Sequence, residues 1–134
     1  MKFSAKEQYG LRAMVEIARR YGQGPISLGA VARVQALSLA FLEQVVMPLR
    51  AAGLLDSTRG ANGGYVLTRN PQSVTVGEVL RALEGEVVSF ACVSAAADPP
   101  CKRGEGTCGA HQVWERVQGR LTEALDSTTL ADLC

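Results

Sequence analysis

The amino-acid sequence predicts a mainly α fold in which three short helices lead into a two-stranded hairpin, and a fourth helix and a long C-terminal helix follow. Three observations predict it. Apolar residues recur at intervals of three and four along most of the chain. Ser and Thr stand where helices would begin, followed three residues later by Glu in SAKE and TVGE. One glycine-rich basic stretch, TRGANGG, lies between two short β-like runs instead of between helices.

In chain order, Ser4 and Glu7 can cap a first helix over about Lys6–Tyr21, with Leu11, Met14, Val15, Ala18 and Tyr21 at helical spacing, until GQGP (Gly22–Pro25) stops it. Ser27 can cap a short second helix with Leu28, Val31 and Ala32 inside. After a turn near Gln35–Leu37, Ser38 can cap a third, with Leu42, Val45, Val46 and Leu49 on one stripe. That stripe leaves Ala40, Phe41, Glu43, Gln44 and Met47 on or beside the outer face. Pro48 lacks the amide that would bond the Gln44 carbonyl, a loss of about 3 kcal/mol in a regular helix interior, so a kink or tightening is expected there. Gly53 stands where a left-handed helix cap belongs.

Leu54–Ser57 and Tyr65–Leu67 read as short strands, and the Asn62-Gly63 step favours a tight hairpin turn with a basic tip. Past Asn70-Pro71, TVGE opens a fourth helix carrying Val76, Val79, Leu80 and Leu83 and ending at Gly85. HQVWERVQGRLTEALDS then resumes helical periodicity on Trp114, Val117, Leu121, Ala124 and Leu125, and TLAD predicts a last helical turn.

A chain of 134 residues, 47% apolar and 20% charged, is expected to be a single soluble domain with a core of its own. No apolar run has the length of a membrane span, and the N-terminus lacks the apolar region of a secretory signal. The expected compartment is the reducing cytoplasm, where cysteines serve as metal or redox ligands more often than as disulfides. Charge is uneven: residues 1–70 carry nine Lys/Arg against four acids, and residues 71–134 five against nine. The first half is therefore the one suited to face a polyanion.

Three short helices, the third turned outward, and then a basic-tipped hairpin make the order of a winged helix-turn-helix. The DNA major groove admits one helix, whose outward side chains read base edges. Glu43 and Gln44 can hydrogen-bond bases, Ala40 and Phe41 can meet thymine methyls, and Arg59 on its glycine-rich turn can enter a narrow minor groove.

Between the fourth and the long helix lies FACVSAAADPPCKRGEGTCGAH, which holds three of the four cysteines and the only histidine. Its candidate ligands are Cys92, Cys101, Cys108 and His111, spaced x8, x6 and x2. Thiolates and imidazole suit zinc, copper(I) and iron-sulfur clusters, and binding one of them can order a loop that has no core. The tight C-x2-C pairs common at zinc sites are absent. The lone histidine has no carboxylate motif suited to a catalytic triad, and RGANGG lacks the lysine of a phosphate loop, so an enzyme is not expected.

The string SLAFLEQVVMPLRAAGLLDSTRGANGGYVLTRNP, preceded by YGLRAMVEIA and followed by VTVGEVLRALEG, resembles the iron-sulfur cluster regulator (IscR-like) family of bacterial winged-helix transcription factors, over nearly the whole chain. The resemblance implies a two-fold dimer on a palindromic operator in double-stranded DNA. Contacts would come from Lys6 and Tyr9 at the start of the first helix, from Ser38, Ala40, Phe41, Glu43 and Gln44, and from Arg59 and Gly60 in the wing. It further implies that Cys92, Cys101 and Cys108 hold an iron-sulfur cluster and that His111 completes a [2Fe–2S] shell. A [4Fe–4S] cluster is the variant with a different fourth ligand, for which Glu7 or Gln8 of the partner's first helix are the candidates here.

In that family the long helix pairs with its symmetry mate, which assigns Trp114, Val117, Leu121 and Leu125 to the dimer. The implied organisation is a DNA-binding region over residues 1–84, a cluster loop over 85–110, and a dimer helix with its terminal turn over 111–134. The implied function is a cytoplasmic regulator, such as a repressor, whose operator affinity follows redox state, iron or nitric oxide, with no small-molecule substrate and no membrane partner. A zinc- or thiol-switched regulator on the same fold and an iron-sulfur electron carrier are the alternatives. Cys134 lies outside the motif and reads as a bystander thiol.

Overall fold

A computed structural model describes residues 3–85, 93 and 108–134; Cys92 and Cys101 lie outside them. Helix α1 (Ala5–Arg19) begins as a capping box, the Ser4 hydroxyl accepting the Glu7 amide while Glu7 Oε1 accepts the Ser4 amide. It ends two residues before Tyr21, because the Tyr21 amide closes a turn on the Ala18 carbonyl and Gly22 follows with φ 80°. Helices α2 (Leu28–Gln35) and α3 (Leu39–Ala51) are capped by Ser27 and Ser38 as expected. Between them Ala36 takes the left-handed conformation, φ 54°, and the chain bends by 118°, the geometry of a helix-turn-helix.

Helix α3 is α-helical through Pro48, the position at which the sequence predicts a kink or tightening. The missing amide would have served Gln44, which sits on the exposed face where water can bond its carbonyl. The helix closes with paired bonds, Gly53 N–H to the Arg50 carbonyl and Leu54 N–H to the Leu49 carbonyl, both 3.0 Å, with Gly53 at φ 80°.

Strand β1 (Leu55–Thr58) pairs antiparallel with β2 (Gly64–Leu67), Leu55 opposite Leu67 and Thr58 opposite Gly64. The hairpin forms, but not through a tight Asn62-Gly63 turn. Five residues connect the strands, and the Gly63 amide bonds the Gly60 carbonyl at 3.0 Å, which centres the turn on Ala61 and Asn62. A side chain on Gly63 would run into the Thr58 carbonyl. Tyr65 also exchanges two backbone bonds with Ile26, at 3.0 and 2.9 Å, tying the wing to the entry of α2.

A 3-10 turn (Pro71–Ser73) leads to α4 (Val76–Glu84), capped reciprocally by Thr75 and Glu78 and ended at Gly85. Helix α5 (Gly109–Ser127) and the terminal turn α6 (Leu130–Leu133) complete the described chain. The core gathers Met14 and Ile17 of α1, Val31 of α2, Leu42, Val45 and Leu49 of α3, Val79 and Leu83 of α4, and Leu130 of α6. Gly10 lets α1 approach α4, since a Cβ there would come within 2.7 Å of Leu83 Cδ1. Helix α5 packs on α4, and the chain then returns: the Val76 amide bonds the Thr128 carbonyl at 2.8 Å and the Leu130 amide the Val74 carbonyl at 2.9 Å. The result is a winged helix-turn-helix with a long helix laid across α4 and pinned to the core at its C-terminal end.

Candidate nucleic-acid interface and thiol-imidazole pair

The stripe that buries Leu42, Val45, Val46 and Leu49 turns Ala40, Glu43, Gln44 and Met47 of α3 to solvent. Met47 is 70% exposed. Ser38 accepts the Phe41 amide, and the first turn of α3 carries no acidic residue, so its remaining free amides present positive potential to an anion. Phe41 is half-buried and meets Tyr9 of α1 edge-on, ring centroids 6.3 Å apart at 84°. The Arg12 guanidinium lies 5.3 Å over the Tyr9 ring and donates to the Gln35 carbonyl at 2.6 Å.

Tyr9, Ser38 and Phe41 therefore line one cleft with Arg12, Gln35 and Leu37. Arg12 was absent from the sequence candidates; its signal was a cation one helical turn after Tyr9. Lys6 is half-buried on α1, while Arg59 and Gly60 are exposed at the wing tip. Neither Lys6 nor Arg59 pairs with a carboxylate among the described residues.

Two of the four candidate ligands fall within the described residues. Cys108 is the half-buried N-cap of α5, where its thiol makes no capping bond. The His111 amide bonds the Cys108 carbonyl at 3.1 Å, which sets the two side chains three residues apart on the first turn of the helix. His111 is only 5% exposed, and its Nε2 lies 4.0 Å from Glu115 Oε2 one turn further on. A thiol and an imidazole on one helical turn are a fit pair for zinc or iron, and a carboxylate behind the imidazole is how such ligands are commonly oriented. Glu7, a candidate fourth ligand toward a partner's cluster, is buried and spends Oε1 on the capping box.

The rest of α5 is little covered. Val113, Trp114 and Val117 are exposed, and Leu121 and Leu125 half-buried. Leu125 closes a small apolar pocket of about 200 Å3 with Phe3, Leu11, Val76 and Leu80.

Four charged residues that the sequence candidates did not include join the wing to α5. Arg69, just past β2, donates to Glu78 of α4 at 2.9 Å, and Arg81 of α4 grips both oxygens of Asp126 of α5 at 2.8 and 2.9 Å. Burial pushes the Glu78 carboxyl up, but the Thr75 amide and Arg69 together bring it below its ordinary value. The Arg81 hydrogen bond holds Asp126 below the usual carboxylate range, and Asp126 raises Arg81 in return. Gly77 lies under this pair, where a Cβ would collide with the Asp126 carboxylate.

Comparison with known proteins gives a consistent picture. A family profile described as Rrf2, iron-dependent transcriptional regulator, matches residues 3–134. The chain is 44% identical over 133 residues to the HTH-type transcriptional regulator CymR of Bacillus subtilis, covering 99% of this chain and 89% of that one. It is 35% identical over 133 residues to the HTH-type transcriptional regulator IscR of Escherichia coli, covering 99% and 80%. The solved structure of CymR, the global cysteine regulator of B. subtilis, superposes with a TM-score of 0.82 at 42% identity, covering 99% of this chain and 95% of that one.

Proposed function

The chain belongs to the Rrf2 family of transcriptional regulators, and from that premise we propose that it is a two-fold DNA-binding dimer whose operator affinity is set by an iron-sulfur cluster on Cys92, Cys101, Cys108 and His111. The observation that carries the reading is the Cys108–His111 pair on the first turn of α5, at the far end of that helix from its anchor in the core. Cys92 and Cys101 would add two thiolates from the preceding segment, giving the soft donor set that suits iron. When bound, a [2Fe–2S] cluster supplies a redox- and oxidant-sensitive charge at the start of α5, and a [4Fe–4S] cluster would do the same with another fourth ligand.

On the DNA side, α3 enters the major groove with Ala40, Phe41, Glu43 and Gln44 at the base edges. Ser38, the α3 amides, Lys6 and Tyr9 hold phosphates, and Arg59 with Gly60 follows the minor groove. The partly exposed stripe of Trp114, Val117, Leu121 and Leu125 pairs with its copy, which makes the operator palindromic. The site of action is the cytoplasm.

The likeness to CymR, a global cysteine regulator by its solved structure, supports a second reading, in which the same thiols switch the regulator without a cluster. One experiment separates the two. A duplex is selected from random sequences by the protein, and its binding is measured for anaerobically loaded, metal-free reduced and metal-free oxidised protein. The cluster reading expects the loaded and metal-free forms to differ by about 5- to 150-fold. The thiol reading expects the difference between the reduced and oxidised forms alone, and equal affinity in all three contradicts both.

A further inference from the structure

Opposite the buried stripe of Leu42, Val45, Val46 and Leu49, helix α3 carries a second line of side chains that continues past Gln44. Met47 stands on that line one turn beyond both Glu43 and Gln44, at i+4 and i+3, and Arg50 follows one turn later. The outward face therefore does not end with the side chains already assigned to base edges. Met47 is exposed and takes no part in the core that holds α3, so the fold itself does not call for an apolar side chain there.

The surroundings define what this face can meet. Arg50 and the exposed Arg59 of the wing have no carboxylate partner among the described residues, whose ion pairs use Glu16, Glu78, Asp126 and Glu115, none of them on α3. Glu43 is the only acid of the helix. Such a face suits a polyanion, and the apolar group that base edges present in the DNA major groove is the C5-methyl of thymine. The unbranched, polarisable side chain of methionine adapts readily to a contact of that kind. From Glu43 to Met47 the helix advances about 6 Å, and one base-pair step is about 3.4 Å. We propose that Met47 is a specificity-determining residue, packing on a thymine C5-methyl about two base pairs farther along each half-site than the base met by Glu43. The proposal rests on the reading of α3 as the helix that enters the groove of a palindromic operator.

The test uses the duplex that the wild type selects, and copies of it in which each thymine in turn is replaced by uracil, which pairs identically and lacks only the C5-methyl. Binding is measured for the wild type, Met47→Leu and Met47→Ala in the state that binds the duplex more tightly, with circular dichroism confirming that each is helical. The wild type is expected to lose about three- to fourfold at one thymine of each half-site, the worth of one buried methyl. Met47→Ala is expected to bind the parent duplex more weakly by a similar factor and to be indifferent to that replacement, its responses at other thymines unchanged. Met47→Leu, still apolar and of similar volume, is expected to keep the response. Repeating the selection with Glu43→Ala locates the base that Glu43 meets, and the responsive thymine is expected about two base pairs from it. A wild type indifferent to every replacement, or a Met47→Ala protein that keeps the full wild-type pattern, overturns the assignment of Met47 while leaving duplex binding by α3 in place. A wild type that selects no duplex overturns the DNA-binding reading together with it.

Discussion

Arg59, exposed at the wing tip and without a described acidic partner, is expected to act through DNA alone. Arg59→Ala should weaken duplex binding about tenfold and lower the salt slope by about one, with the visible spectrum unchanged. A lost spectrum would contradict its place in the wing. Glu43→Ala should change which duplex is preferred more than it changes overall affinity, read by repeating the selection from random sequences. Asp126 gives a pH signature. Its folded carboxyl lies below its unfolded value because Arg81 bonds it, so its stabilisation is present above the unfolded value and is lost as pH falls through the folded one. Glu78 acts in the same direction. Thermal melting from pH 7 to pH 3 should therefore show the wild type losing more than Asp126→Asn below about pH 4; parallel losses would contradict the clamp.

At the scale of elements, α5 is the least covered of the described helices, with Trp114 and Val117 exposed where a helix facing its own core would bury them. Leu121→Asp should yield monomers by sedimentation with the helical signal kept, and an unchanged dimer would place the interface elsewhere. Helix starts were legible in the sequence because Ser4, Ser27, Ser38 and Thr75 act on amides three residues away. The end of α1 and the wing turn were less so. They depend on contacts the local pattern does not announce: Gly63 under the Thr58 carbonyl and Tyr65 bonded to Ile26. The pair of Arg81 and Asp126 spans 45 positions, and no local pattern announces it. The outward face of α3 was legible, since the stripe that buries Leu42, Val45 and Leu49 fixes what the helix shows to solvent.

At the scale of the whole molecule, the core gathers α1 to α4 and is closed by Leu130 from the far end of the chain. That last contact ties the C-terminal end of α5 to the body that carries α3 and the wing. The likeness to both CymR and IscR leaves the composition of the proposed sensor as the property on which the functional reading turns. The most direct measurement is the visible spectrum of anaerobically purified protein with iron and sulfide analysis, on the wild type and on His111→Ala. A red-brown protein with about two irons and two sulfides per chain, its spectrum altered by His111→Ala, is the predicted result. A colourless protein without acid-labile sulfide that still switches its DNA affinity on thiol oxidation would contradict the cluster and assign control to the cysteines themselves.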